Sequence, residues 1–239
     1  FIMEIKLNKV GFVYQPGTPF EKEVLKNLTL TIPQEKITAI LGKCGSGKTT
    51  LIQLLNGLLK PTSGTIQVGE FLLEPNKKVA NIHDLRFQVG MVFQFPEEQF
   101  FHTTVEKEIG FAVDQFQYRV QEKEKRIIES LIMVGLDASY LKRDPFTLSN
   151  GEKRKVAIAS VLIFNPKVLI FDEPTVGLDE ISKKSFMKVI RMLKKRYHKT
   201  IIIVTHDVDF IHRFADHIVV LHNGKVALEG TKYEVFKEE

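Results

Sequence analysis

Eight residues constrain this chain more than any others: Gly42-Lys43-Cys44-Gly45-Ser46-Gly47-Lys48-Thr49. The apolar run Ile37-Thr38-Ala39-Ile40-Leu41 precedes them and reads as a buried strand, and Thr50 to Leu59 follows with helical spacing. Strand, glycine-rich loop and helix is the context that a phosphate-binding loop requires. Glycines let the backbone wrap inward, so that successive amides point at one anion. The helix start adds unpaired N–H groups and positive dipole charge. Lys48 supplies a point charge for β- and γ-phosphates, and the hydroxyl of Thr49 can take a place on Mg²⁺. A chance glycine-rich turn does not account for Gly, Lys and Thr at these fixed places. The loop predicts a nucleotide site and leaves open what the nucleotide drives.

A chain of 239 residues buries a real core, as one large α/β unit or a core plus a subdomain. The formal net charge is +5, and the lysines are spread along the chain rather than gathered in one arm. That distribution reads as a solvated surface, with only a weak pull toward an anionic membrane surface or nucleic acid. Cys44 is the single cysteine, so no internal disulfide forms and the chain suits a reducing compartment. No apolar stretch approaches the ~20 residues of a membrane span. No cleavable signal is visible, and a cytoplasmic protein is expected.

Residues 3–14 alternate as a half-buried strand, and Val24 to Ile32 reads as a second, ended by Pro33. Pro61-Thr62-Ser63-Gly64 ends the helix after the loop, and Thr65 to Val68 resumes strand character. Phe87 to Phe95 reads as a buried strand that ends at Gln94, with Pro96 as its breaker. From Thr103 to Phe164 the pattern is helical in three pieces, an insertion between strands. Val168 to Phe171 and Ile201 to Val204 are continuous apolar runs, as central parallel strands covered on both faces should be. Ile181 to Tyr197 and Val208 to Phe214 read as helices, and Ile218 to Leu221 as a strand. Asn223-Gly224 predicts a hairpin turn, and 231–239 a short terminal helix.

Asp172 and Glu173 follow the run Val168 to Phe171 at the strand's C-terminal end, the edge where open α/β sheets bind ligands. Asp172 is placed to hold Mg²⁺, and Glu173 to polarise an attacking water. Ser149 and Glu152 in Leu148-Ser149-Asn150-Gly151-Glu152 have the spacing of a capping box at a helix start. Such a start still offers positive dipole to a phosphate, and Gly151 lets one approach. His206 sits at the same sheet edge as Asp172. Gln94, at a strand end, is equally consistent with sensing a metal or water and with a plain polar terminator. Asp179 reads as a helix N-cap. Tyr14 reads locally as a partly buried strand aromatic. Cys44 lies near a helix start and Lys48, a setting that favours thiolate, but nucleotide hydrolysis needs no such nucleophile.

The ordered set resembles the ATPase subunit of ABC transporters over nearly the whole chain. Walker A is Gly42 to Thr49, the Q-loop is at Gln94, and the signature is Leu148 to Glu152. Walker B ends in Asp172-Glu173, the D-loop holds Asp179, and the switch histidine is His206. Asn150 and Glu152 stand where the family most often has Gly and Gln. A narrower likeness to the energy-coupling-factor branch, which takes up vitamins and transition-metal ions, lies in Phe93-Gln94-Phe95-Pro96-Glu97-Glu98-Gln99-Phe100-Phe101 and in Tyr14 to Glu21. Members of that branch usually run some tens of residues further.

The resemblance implies a P-loop cassette with a RecA-like core over 1–95 and 165–239, an N-terminal antiparallel β-subdomain, and a helical subdomain over 96–164. It implies ATP and Mg²⁺ as ligands. Tyr14 then matches the adenine-stacking aromatic. Lys43, Cys44, Thr50 and the rest of the loop line the triphosphate, and Thr49, Gln94 and Asp172 face the metal. Glu173 is the general base, with His206 and Gln94 positioning its water. Two ATPase subunits, identical or related, close with ATP between Walker A of one and Ser149–Gly151 of the other, near Asp179. An integral membrane coupling subunit docks near Gln94, and a separate membrane subunit binds the substrate. The chain would then lie on the cytoplasmic face of the cell membrane. The competing readings are another ABC transport branch, and a non-transport ABC ATPase acting on nucleic acid. The latter usually carries two cassettes, long coiled coils or zinc motifs, none of which is visible.

Overall fold

The computed structural model describes residues 3–116 and 121–237. Two strands open the chain, β1 (Ile5–Tyr14) and β2 (Lys22–Ile32), and β3 (Ile37–Leu41) runs into the glycine loop and α1 (Lys48–Leu55). The hairpin of β4 (Ser63–Val68) and β5 (Phe71–Leu73) leads through α2 (Ile82–Gln88) to β6 (Val89–Val92). Three helices follow: α3 (Val105–Gln115), α4 (Lys123–Met133) and α5 (Asn150–Leu162). The chain then alternates through β7 (Val168–Asp172), α6 (Glu180–Lys195), β8 (Thr200–Val204) and α7 (Val208–Phe214). A hairpin of β9 (His217–His222) and β10 (Lys225–Gly230) and the short α8 (Lys232–Val235) come last.

The early strands form an antiparallel sheet in the order β2-β1-β4-β5. The others form a second sheet in the order β10-β9-β3-β8-β7-β6, parallel except at the β10 edge. Side-chain alternation explains the unbroken apolar runs. In β8, Ile201 and Ile203 face a core shared with α3, α5 and α6, while Ile202 and Val204 face a core shared with α1 and the antiparallel sheet. Both faces are covered, so apolar residues run almost unbroken along such a strand. Parallel pairing also brings the ends of β3, β7 and β8 to one edge.

The expected strand Phe87–Phe95 is shorter than its apolar content suggests. Phe87 and Gln88 close α2, and pairing with β7 stops at Val92. Leu85 anchors α2 in the core and Phe87 stacks on Phe164, so the first apolar residues of that run belong to a helix. Gln94 thus lies two residues past the strand, before a left-handed Phe95 and the 3₁₀ turn Pro96–Gln99. The helix expected over Thr50–Leu59 begins at Lys48 and stops at Leu55, ahead of a left-handed Gly57. β5 and the body of α2 had no counterpart in the pattern. The terminal helix covers Lys232–Val235, and 238–239 lie outside the described residues.

Candidate functional site

The loop after β3 closes on itself. Gly47, at φ +103°, caps α1, and a Cβ there would sit 2.5 Å from Leu25 Cδ2. The Ser46 amide donates to the Lys43 carbonyl at 3.0 Å, while Ser46 Oγ is buried without a hydrogen-bond partner among the described residues. Lys48 is 8% exposed. Its amino group donates to the Gly42 carbonyl and lies 3.3 Å from His206 Nε2. Among the described residues its amino group hydrogen-bonds to a neutral carbonyl and an imidazole and to no carboxylate, which suits it to an incoming phosphate. Lys43, Cys44, Gly45 and Thr49 are exposed along the loop.

The neighbouring strand ends complete the cluster. Asp172 is the last residue of β7, and the Glu173 amide donates to the Val204 carbonyl at 2.8 Å. Glu173 adopts φ +46°, a left-handed conformation that a side chain rarely takes without surrounding support. Its carboxylate pairs with His206 Nδ1, so Glu173, His206 and Lys48 form a continuous chain of contacts. Burial, then the charge of Glu173, push the Asp172 carboxyl up, against Lys48 and His206. A carboxylate strained in this way gains from a cation. Asp172 and the Thr49 hydroxyl supply hard oxygen donors, and a magnesium site commonly takes few protein ligands, with phosphates and water supplying the rest.

Tyr14 also reaches the loop: its hydroxyl lies 3.1 Å from Thr50 Oγ1, and its ring packs edge-on against Phe12. Gln94 is exposed and makes no hydrogen bond to the cluster among the described residues. The segment Ser149–Glu152 also stands apart. Its capping box forms, with Glu152 N donating to Ser149 Oγ at 3.2 Å and Ser149 N to Glu152 Oε1 at 3.1 Å. Tyr140 Oη donates to Glu152 Oε2 at 2.6 Å, and this bond chiefly holds the Glu152 carboxyl low. Asp179 caps α6 by accepting from Ser182 N at 2.7 Å, which lowers its own pKa. A Cβ on Gly151 would lie 2.7 Å from Ser182 Oγ, so the α5 and α6 starts are close neighbours. Among the described residues, no hydrogen bond joins Ser149–Glu152 to the loop around Lys48.

One residue escaped the sequence reading. Arg154 stands in a basic run, Lys153-Arg154-Lys155, that reads as a solvated face, yet it is 2% exposed. Its guanidinium grips Glu97 through two bonds, of 2.8 and 2.9 Å. It also donates to the carbonyls of Pro174 and Val176. Arg154 therefore ties α5 both to the turn after Gln94 and to the loop after Glu173. The only signal would have been a basic residue on the helix face that also carries Ile158.

Fold and site together define a nucleotide-binding cassette. A family model described as ABC transporter matches residues 25–176. The chain is 45% identical to the energy-coupling factor transporter ATP-binding protein EcfA2 of Enterococcus faecalis, over 99% of this chain and 82% of that one. It is 45% identical to the EcfA2 of a Bacillus cereus strain, over 98% and 80%. The chain belongs to the ABC transporter family, among its energy-coupling factor ATP-binding proteins. Among solved structures it is similar to cbiO1 of Clostridium perfringens, with a TM-score of 0.86 and 36% identity over 98% of this chain and 90% of that one. A cassette solved as a dimer, in a post-hydrolysis state with ADP and Pi, gives a TM-score of 0.80 and 29% identity over 95% and 98%.

Proposed function

We propose that this chain binds and hydrolyses ATP to energise an energy-coupling factor importer of vitamins or transition-metal ions. The observation that carries the reading is the chain Glu173–His206–Lys48 beside Asp172, at the edge where β3, β7 and β8 end. Lys48 and the loop amides of Gly42 to Thr50 hold the triphosphate, and Tyr14, tethered to Thr50, stacks on the base. Magnesium, held by Thr49 and Asp172 with Gln94 near it, would neutralise charge on the phosphates. Glu173 accepts a proton from the attacking water. His206, on the Glu173 carboxylate, orients that base, and Gln94 positions the water once its loop closes.

Among the described residues the capped start of α5 makes no hydrogen bond to the glycine loop, which supports a site completed by a second cassette. Ser149, Asn150, Gly151 and Glu152 of that second subunit, identical or related, face the γ-phosphate with Asp179 beside them. The solved dimeric neighbour and the transporter complex named for cbiO1 support this assembly. Residues 96–164 form the helical subdomain that moves on closure, against a core of 1–95 and 165–239. An integral membrane subunit docks near Gln94, and a further membrane subunit carries the substrate. Attachment to the cytoplasmic face comes through those partners, since no helix among the described residues is long and apolar enough to cross a membrane.

Glu173→Gln tests the reading. It should retain ATP binding, stop turnover and accumulate a closed dimer on size exclusion. Normal hydrolysis by that variant would remove Glu173 as the base.

A further inference from the structure

Glu173 holds a backbone conformation that its place in the sequence does not favour. It precedes Pro174, and a residue before proline ordinarily takes extended backbone, yet its φ is +46°. Such strain persists only where the surroundings over-determine it. On one side the restraint is plain: the Glu173 amide donates to the Val204 carbonyl at 2.8 Å, fastening it to the end of β8. On the other side the chain turns at once. The Val176 amide donates to the Glu173 carbonyl at 3.4 Å, and Thr175, in mid-turn, is buried. A turn closed by so long a bond does not hold a strained residue by itself.

Arg154 supplies the rest. Its Nη1 donates to the Pro174 carbonyl and its Nη2 to the Val176 carbonyl at 3.2 Å, so the guanidinium clamps the turn on both sides of Thr175. Glu97 grips the same plane, accepting from Nε at 2.8 Å and from Nη2 at 2.9 Å. One bond at Nε, one at Nη1 and two at Nη2 engage four of the five donors that a guanidinium has. A planar fork engaged in this way is fixed in orientation. Phe95 adds a second support: the guanidinium carbon lies 5.8 Å from its ring centroid, and a Cβ on Gly177 would come 2.9 Å from Phe95 Cε1. An ion pair serving stability alone needs only Glu97. The bonds to the carbonyls of Pro174 and Val176 run instead to the segment that carries Glu173.

We propose that Arg154 is a positioning residue for hydrolysis: it holds the turn 173–176 so that the Glu173 carboxylate stays against His206. The inference rests on the reading of Glu173 as the base. One rigid group then sets both that base and the turn Pro96–Gln99, which carries Glu97.

The test compares the full chain with two variants, Arg154→Met combined with Glu97→Leu, and Arg154→Lys. The double variant removes both charges and should keep a urea midpoint near the parent's, but it leaves the two carbonyls without their donor. Affinity for a fluorescent ATP analogue should change by less than about two-fold, since the interaction lost is one that serves the transition state. kcat should fall on the order of 100-fold, the scale of a 1 Å misplacement. In hydrogen exchange without nucleotide, amides of 173–178 should exchange about ten-fold faster than in the parent, while those of β3 keep parental rates. Arg154→Lys keeps the charge as a point that cannot span Glu97 and both carbonyls, and should show the same pattern to a smaller degree. A kcat restored along with the urea midpoint in the double variant would overturn the proposal, because a purely structural pair predicts that outcome. Parental exchange at 173–178 would overturn it too. If the double variant does not fold, Arg154→Lys decides on the same two readouts. Absence of turnover in the parent, or normal hydrolysis by Glu173→Gln, is a failure of the base reading, and the exchange rates then decide the hold on the turn alone.

Discussion

Replacing Arg154 by methionine tests whether the guanidinium beneath the signature segment holds three parts of the molecule together. The side chain of Arg154 is 3% exposed and that of Glu97 12%. The substitution preserves much of the volume but leaves the Glu97 carboxylate buried without its cation, and strips a donor from the carbonyls of Pro174 and Val176. Breaking a buried pair from one side costs about 3–5 kcal/mol. For a chain of this length each kcal/mol moves Tm by roughly 2–4 °C, so a fall of about 6–20 °C is expected. Removing both partners, as in Glu97→Leu with Arg154→Met, should recover most of that loss, because an apolar pair of similar volume is often neutral. The assay is urea unfolding of the parent, both single variants and the double, since urea leaves ion pairs unscreened. Recovery on that scale requires a coupling of about 3 kcal/mol or more, at the upper end for residues in direct contact. Additive effects, or a loss under about 1 kcal/mol in Arg154→Met, would refute the view that this pair is a buried tie.

Lys48→Ala should lose most nucleotide affinity, measured by titration with a fluorescent ATP analogue; unchanged affinity would discard the phosphate-loop assignment. Tyr14→Ala should weaken ATP about ten-fold, as losing one base–aromatic stack does, with little change in kcat at saturation. Asp172→Asn should abolish magnesium-dependent hydrolysis yet stabilise the ligand-free chain at pH 7. The Asp172 carboxyl titrates above its ordinary 3.8 in the folded chain. Below 3.8 both states hold the proton and the residue is neutral to stability. As pH rises through the folded value, the native state carries a charge that it accommodates worse than the unfolded chain does. The urea midpoints of parent and Asp172→Asn should therefore converge near pH 3 and separate by pH 7.

The glycine loop, the central strands and the residues ending them were legible because each depends on local order. A strand covered on both faces must be continuously apolar, and a polar residue just past it falls at the ligand edge. That logic located Asp172, Glu173 and His206. It failed at Phe87 and Gln88, where a short apolar run fits a helix end as well as a strand. Arg154 was hidden for another reason: its partner Glu97 is 57 residues away, and a lone basic residue among lysines carries no sign of burial. The left-handed backbone of Glu173 has no sequence signature at all, since its neighbours rather than its own side chain impose it.

The hairpin turn between β9 and β10 reaches further than a turn need do. The Gly224 amide donates to the Ser46 carbonyl at 3.2 Å, and its carbonyl accepts from Lys26 N at 2.8 Å. A Cβ there would come 2.2 Å from the Val24 carbonyl, so only glycine fits between these two segments. Gly224, distant in sequence from Ser46, thus braces the glycine loop. A nascent chain that stops short of Gly224 would carry the glycine loop without this brace.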